Sequence, residues 1–215
     1  MPGQIKIDDG SGNYTILTNG GSLGSDKTIT IPNETGTVAL DNSTDLGGLV
    51  KLGSYTFNND ADIDADVLDE NTYSGYKLVA KDIKTANDNT NLRAGFRASG
   101  SDVLTTNSYL RAAWYMNTAS SGITASSSSR TGFFEVSFNQ GNDTGELMQA
   151  VVDVFPHGTQ KLWNSVNQYE TNSGAQLAAH IVSILRNDTT VDGLRFYAGS
   201  GNVTSGSIEI WGYKK

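Results

Sequence analysis

The sequence predicts an all-β protein: an antiparallel, jelly-roll-like β-sandwich preceded by a short extended N-terminal β segment. Composition is the first indication, since Gly, Ser, Thr and Asn fill about 40% of the 215 residues and disfavour long helices. Periodicity is the second, because apolar and polar residues alternate in runs such as Ser207 to Tyr213, as in a sheet with one buried face. The third is the number of such runs, since about ten follow Leu49, which is enough for two sheets.

The N-terminal segment, residues 1–48, is predicted to be separate from a β-sandwich domain at 49–215. Four short apolar runs lie between turn residues. They are Ile5–Ile7, Tyr14–Leu17, Thr28–Ile31 and Thr37–Leu40. The polar stretch Asp41–Gly48 ends in paired glycines and marks the boundary. Strands this short bury too little apolar surface to be stable in a monomer, so we expect them to pair with other chains.

Turn residues separate the ten strands predicted in the second domain. These are Val50–Phe57, Tyr76–Lys81, Leu92–Ala98, Tyr109–Tyr115, Gly132–Phe138, Met148–Phe155, Gln160–Tyr169, Leu177–Leu185, Leu194–Tyr197 and Ser207–Tyr213. The run Gln176–Arg186 also fits a helix, but its β-branched centre favours a strand. Alternation places Glu135 and Ser137 on the face opposite Phe134 and Val136.

Charge and cysteine content exclude several functions. The net charge of -8 and pI of about 4.6 leave no large basic face for nucleic acid or for an anionic membrane. No apolar run approaches the roughly 18 residues that a membrane span needs, and Met1–Gln4 does not resemble the start of a signal peptide. Because the chain has no cysteine, thiol catalysis and thiolate metal sites are excluded.

The densest acidic cluster lies at Asp60–Asp66, where alternate spacing places Asp60, Asp62 and Asp64 on one face of an extended segment. Like charges on one face repel, so the cluster is either a solvated loop or a site for a cation. Calcium prefers such oxygen ligands, but the EF-hand pattern is broken at Ala65. The sequence favours the loop and therefore no cofactor, with Ca²⁺ as the alternative.

Catalytic patterns are missing from the sequence. No pair of carboxylates stands apart as a glycosidase would require, and the serine-rich stretch Gly122–Gly132 lacks the context of a nucleophile. The histidines, His157 and His180, are too far apart for a zinc pair. We therefore expect a protein that is not an enzyme.

Aromatic residues provide the binding hypothesis, because flat rings pack against the apolar faces of sugars. Trp114 and Tyr115 are neighbours on a predicted strand and must point to opposite sides. Trp163 lies among polar residues and is the leading candidate for a glycan contact. The predicted glycan-binding residues are therefore Trp163, Trp114 and Tyr115.

Two segments resemble virion proteins of tailed bacteriophages. Gly24–Leu40 (GSDKTITIPNETGTVAL) is similar to an element that recurs in phage tail fibres and related surface proteins. Val191–Tyr213, which contains DGLRFY and GSIEIWG, resembles the C-terminal strand pair of marine phage virion sandwiches. The resemblance covers about a fifth of the chain. It implies a homotrimer on the particle surface, made in the host cytoplasm, with the N-terminal segment as the trimerising or anchoring part.

Physical reasoning agrees with a trimer. A threefold arrangement of the Gly24–Leu40 element would bury its apolar side chains around the axis and remove exposed strand edges. The predicted trimerisation residues are Ile29, Ile31, Val38 and Leu40.

Three functions remain open at this point. The first is a trimeric fibre or spike protein that attaches to the host and has itself, other tail or capsid proteins and a host surface glycan as partners. The second is a capsid decoration, or cement, trimer that stabilises the head. The third, which the sequence disfavours, is a glycan-cleaving tailspike enzyme with two acids about 5–10 Å apart.

Overall fold

The alternating runs of the sequence form antiparallel strands throughout the part of the chain that the structure describes. The structure is a computed structural model, and it describes residues 4–8, 14–18, 48–103, 109–130, 132–156, 158–187 and 189–215. The chain divides into two units, Met1–Ser43 and Thr44–Lys215. In the first unit, β1 (Gln4–Asp8) pairs antiparallel with β2 (Tyr14–Thr18), and Gln4 lies opposite Thr18.

The second unit contains thirteen strands among its described residues. They are β3 (Leu49–Thr56), β4 (Asp62–Ala65), β5 (Tyr73–Thr85), β6 (Leu92–Ala98), β7 (Ser101–Asp102), β8 (Tyr109–Asn117), β9 (Ser120–Arg130), β10 (Phe134–Glu135), β11 (Met148–Phe155), β12 (Gln160–Glu170), β13 (Gln176–Arg186), β14 (Gly193–Ala198) and β15 (Val203–Lys214). The described residues contain no helix, so none is available there to cross a membrane.

These strands form two antiparallel sheets of unequal width. The large sheet has eight strands in the order β3-β15-β5-β11-β12-β13-β8-β9, and the small sheet has the order β10-β6-β14-β4 with β7 paired to β6. Side chains from both sheets belong to one apolar core. The arrangement is all-β and antiparallel, as predicted, and is consistent with a β-sandwich.

An aromatic stack joins the two sheets at the centre of this core. The ring of Phe134 in β10 stacks on Trp163 in β12, with centroids 5.1 Å apart, and meets the edge of Tyr109 in β8. All three side chains are almost completely buried. Aromatic contacts of this kind add to the large apolar area that each ring removes from water.

Several predicted strands match the structure closely. The bounds of β6 and β11 are those predicted, and Gln176–Arg186 is a strand, as its β-branched centre indicated. In β15 the side chains of Ile208 and Ile210 are buried, whereas the intervening side chains are partly exposed.

The structure differs from the sequence analysis in four places. The serine-rich stretch after Gly122 belongs to β9, and in the predicted strand Gly132–Phe138 only Phe134 and Glu135 form strand pairs. Glu135 and Ser137 are buried, because both have polar partners inside the molecule. The glycine-rich residues 199–202 link β14 to β15, which lie in different sheets, so these two strands do not form the resembled pair.

The aromatic stack generates a stability prediction. Replacing Trp163 by Ala leaves a cavity beneath Phe134, so we expect a loss of about 3–5 kcal/mol in the free energy of unfolding. Trp211→Ala is the matched control, because Trp211 lies on the outer face of β15 and is partly exposed. Urea denaturation followed by circular dichroism measures both losses. Equal losses in the two variants would contradict the assignment of the stack as the centre of the core.

Candidate functional site

A polar cavity of about 380 Å³ lies between β8 and β9 of the large sheet and β10 of the small sheet. Arg111 and Tyr115 of β8, Ser126 of β9 and Glu135 of β10 contribute to its lining. The chain segments at 138–139 and 171–173 close this space from the side. The volume falls within the range of about 300–1,000 Å³ that is typical of small-molecule sites.

A buried ion pair forms one wall of the cavity. Arg111 of β8 points inward, as does every second residue of that strand, and its guanidinium contacts the carboxylate of Glu135 in β10. The two side chains are only 7% and 4% exposed. A charged pair this deep is favourable only when further hydrogen bonds complete it.

Neighbouring polar groups supply those hydrogen bonds. The amide of Asn91 donates to Glu135 at 3.0 Å, and the guanidinium of Arg111 donates to the hydroxyl of Ser126 at 2.9 Å. The guanidinium carbon also lies 4.6 Å from the ring centroid of Phe138, a cation–π distance. These contacts fix both charged groups in position, so this wall of the cavity is preorganised for a ligand.

Two aromatic rings lie beside the ion pair in the cavity lining. Tyr115 of β8 and Phe138 have centroids 6.3 Å apart with ring planes tilted by 47°, and both side chains are partly exposed. Around them stand the amide and hydroxyl side chains at the cavity mouth, which belong to Asn117, Asn139, Asn172 and Ser173.

This set of groups suits a neutral, polyhydroxylated ligand. Carboxylate, guanidinium and amide groups exchange hydrogen bonds with hydroxyls, while a ring packs against the apolar face of a sugar. Among the described residues that line the cavity, Glu135 is the one carboxylate. Glycoside hydrolysis by the usual route requires two acids, so the cavity favours binding over cleavage.

The three predicted glycan residues have separate positions. Tyr115 lines the cavity. Trp114, 43% exposed, points to the opposite face of the same strand, where its ring meets the edge of His180. Trp163 is completely buried under Phe134. A fully buried ring has no free face for a sugar, because the polar neighbours of Trp163 in sequence lie beside it along the strand and do not open it to solvent.

The acidic cluster is compensated by arginines of the small sheet. Asp62 and Asp64 lie in β4, where Asp62 pairs with Arg195, and Asp64 lies 2.8 Å from Arg97. Asp60 precedes β4 and accepts a hydrogen bond from the backbone N–H of Asn58 at 2.7 Å. The repulsion that motivated a cation site is therefore relieved within the chain.

Hydrogen bonds and burial shift the pKa values of this network. The bond to Asp62 raises the pKa of Arg195, and the bond to Asp66 raises that of Arg97, so both guanidinium groups stay charged. Burial raises the pKa of Asp64, and its two arginine neighbours offset this only in part. Within the described ranges, no group of three or more His, Asp or Glu side chains is placed to hold a metal ion.

The predicted trimerisation residues Ile29, Ile31, Val38 and Leu40 lie outside the described residues. The structure therefore leaves this interface as a prediction.

Comparison with known proteins identifies no relative. The chain matches no protein-family model, no curated protein and no solved structure. The cavity, the sheet faces and the two sequence motifs are therefore the features that bear on function.

Sequence reasoning missed the ion pair that builds the site. Arg111 and Glu135 are 24 residues apart and lie on different sheets, so no local spacing links them. One signal was present: Arg111 occupies an inward position in an otherwise apolar strand, and a buried charge requires a partner.

The buried pair yields a second stability prediction. Arg111→Ala leaves Glu135 buried without its guanidinium partner, and we expect a loss of about 3–5 kcal/mol in the free energy of unfolding. The control is Lys51→Ala in the pair Lys51–Glu209, whose side chains are 43% and 23% exposed. That exposed pair should contribute under about 1 kcal/mol.

A double variant distinguishes the effect of an unpaired buried charge from a general failure to fold. Arg111→Met combined with Glu135→Leu removes both charges and should recover most of the stability that Arg111→Ala loses. Urea denaturation at pH 7 measures all variants. If Arg111→Ala is no worse than Lys51→Ala, the pair does not organise the cavity.

Proposed function

We propose that this chain is a non-enzymatic structural protein of a tailed-bacteriophage particle, a homotrimeric fibre- or spike-type protein that attaches to a host surface glycan. The polar cavity carries the binding part of the proposal, because it combines a buried ion pair, an aromatic wall and amide groups at one place. The particle part depends on the resemblance of Gly24–Leu40 and Val191–Tyr213 to phage virion proteins.

Electrostatics favour a neutral sugar over a charged ligand in the cavity. Glu135 and Arg111 neutralise one another, so the wall carries no net charge toward a ligand. A chain of net charge -8 repels polyanions at long range, which disfavours nucleic acid and anionic membrane as partners. A neutral glycan is not repelled by the net charge of the chain and needs no net charge on the cavity wall.

The finer architecture belongs to the same proposal. A jelly-roll-like sandwich would present its loops and open edge outward, while residues 1–48 would hold three chains together or anchor them to a tail or capsid protein. Ile29, Ile31, Val38 and Leu40 would then surround the threefold axis. The protein would be made in the host cytoplasm and would function on the virion surface.

A capsid decoration trimer is the second candidate. The outer face of the large sheet favours it, because exposed apolar side chains there, including those of Val151 and Val166, suit packing against other proteins. Decoration proteins occupy threefold or quasi-threefold positions of the head, whereas attachment proteins occupy the tail.

Glycan binding is tested with the full chain on an array of neutral bacterial surface polysaccharides. Tyr115→Ala removes the ring beside the ion pair and should weaken binding about fivefold or more, since stacking on a ring contributes about 1 kcal/mol or more. Tyr213→Ala is the matched control: Tyr213 lies in β15, outside the cavity, where its hydroxyl donates to Asp153 at 2.7 Å. Equal binding by both variants, or no binding by the native chain, would refute the assignment of the cavity.

Location is tested by a cryo-electron microscopy map of the intact particle. The proposal predicts threefold-symmetric density for this chain at the tail, in a few to a few dozen copies. Density at the threefold or quasi-threefold axes of the head, in hundreds of copies, would instead establish decoration. Absence of the chain from the particle would contradict both candidates.

A further inference from the structure

The outer face of the large sheet carries an uncharged patch of unusual extent. It comprises the outward-pointing residues of four neighbouring strands, at alternate positions 162–168 of β12, 178–184 of β13, 110–116 of β8 and 123–129 of β9. We call this set the outer patch. At the 18% charged share of the chain, its sixteen positions would hold about three Asp, Glu, Lys or Arg residues, but they hold none.

Large apolar side chains are exposed on the outer patch. Val166 and Met116 are each 58% exposed, Trp114 is 43% exposed and Ile123 is 71% exposed. Val166, His180 and Trp114 lie side by side across three strands. Leaving such a contiguous apolar surface in water costs free energy, so patches of this kind mark interaction sites.

Two polar side chains of the outer patch are partnered with each other. His180 shares a hydrogen bond of 2.5 Å with the side-chain oxygen of Asn164, and the rings of His180 and Trp114 meet edge to face at a centroid distance of 4.4 Å. An incoming surface that covered this pair would leave its hydrogen bond in place, which lowers the cost of burying it.

We infer that the outer patch packs against a second copy of this chain. Its charge favours this occupant: a chain of net charge -8 repels its own copies except through a surface that bears no charge. A basic partner, by contrast, would find no carboxylate on the patch to pair with. The face also continues to β9, an edge strand with no Asp, Glu, Lys, Arg or Pro at 120–129, so it lacks the usual protection against association.

The area of the outer patch is close to the lower limit for a specific contact. Strands about 4.8 Å apart and a same-face repeat of about 6.8 Å give each outward residue roughly 33 Å² of the sheet plane. Sixteen residues then cover roughly 520 Å² of the sheet plane, and their accessible surface area is larger because the side chains project from that plane. Specific interfaces begin at roughly 600 Å² per partner.

A groove at one end of the outer patch adds shape to the surface. It has a volume of about 620 Å³ and lies between the patch residues Met116 and Gln168 and the loop residues Gly145 and Leu147. A flat sheet face alone would slide against its copy, whereas a groove beside exposed side chains can fix the register of the contact.

The first test measures mass by sedimentation velocity of the full chain over a range of concentrations. Val166→Lys places a charge within the outer patch, on β12, and should raise the concentration of half-dissociation at least tenfold. Val50→Lys is the matched control, since Val50 is 39% exposed in β3, outside the patch, and should leave association unchanged. A native chain with the mass of one copy, or equal association of Val166→Lys and the native chain, overturns the inference.

A second test identifies what covers the outer patch. Because the chain has no cysteine, Val166→Cys introduces a single thiol whose rate of maleimide modification reports exposure. A second copy predicts that this thiol is protected in the associated state and becomes reactive in the presence of Met116→Lys, with Val50→Cys reactive throughout. Protection in a single-copy species would assign the cover to residues 1–43 of the same chain and overturn the inference.

The inference does not depend on the glycan proposal. The cavity lies on the inner side of β8 and the outer patch on the other side, so Tyr115→Ala should leave the sedimentation result unchanged. Failure of glycan binding and failure of association are therefore separate outcomes.

Discussion

The unequal width of the two sheets is the constraint on which the rest of the structure depends. Among the described residues the large sheet has eight strands and the small sheet five, and β8 and β9 form one end of the large sheet. Polar groups lie between this end and β10, and the pair Arg111–Glu135 joins the two sheets there much as the stack of Phe134 on Trp163 joins them at the centre. A wall of fixed charges and hydrogen bonds leaves a cavity, whereas apolar side chains would have collapsed to fill it.

Much of the fold could be predicted from the sequence, because strands with one buried face show their alternation directly. β11 and β15 are examples: inward residues are apolar, and the intervening ones include charges. The same logic decided between strand and helix for β13, whose β-branched residues favour the pleated surface. These elements lie centrally in the large sheet, where burial imposes the strongest pattern.

The pattern failed where a strand is an edge or where both faces are enclosed. Among the described strands β9 pairs only with β8, and it is mostly serine, so its sequence shows little alternation of apolar residues. Periodicity places Glu135 and Ser137 among the outward residues, yet contacts from distant parts of the chain bury them. Trp163 shows the converse, because polar neighbours suggested exposure although its own position faces the core. Of the residues in the candidate site, Tyr115 could be predicted from the sequence, whereas Arg111 and Glu135 could not.

Chemical-shift mapping tests the central claim most directly, namely that the polar cavity lined by β8, β9 and β10 is a binding site for sugar. A soluble oligosaccharide from the polysaccharide that the array selects is titrated into the isotopically labelled full chain. The account predicts that backbone amide shifts concentrate at Tyr115, Glu135 and Asn172, with none at Val166 or Ala178 on the other side of the sheet. Shifts confined to the outer side, or none at saturating sugar, would contradict it.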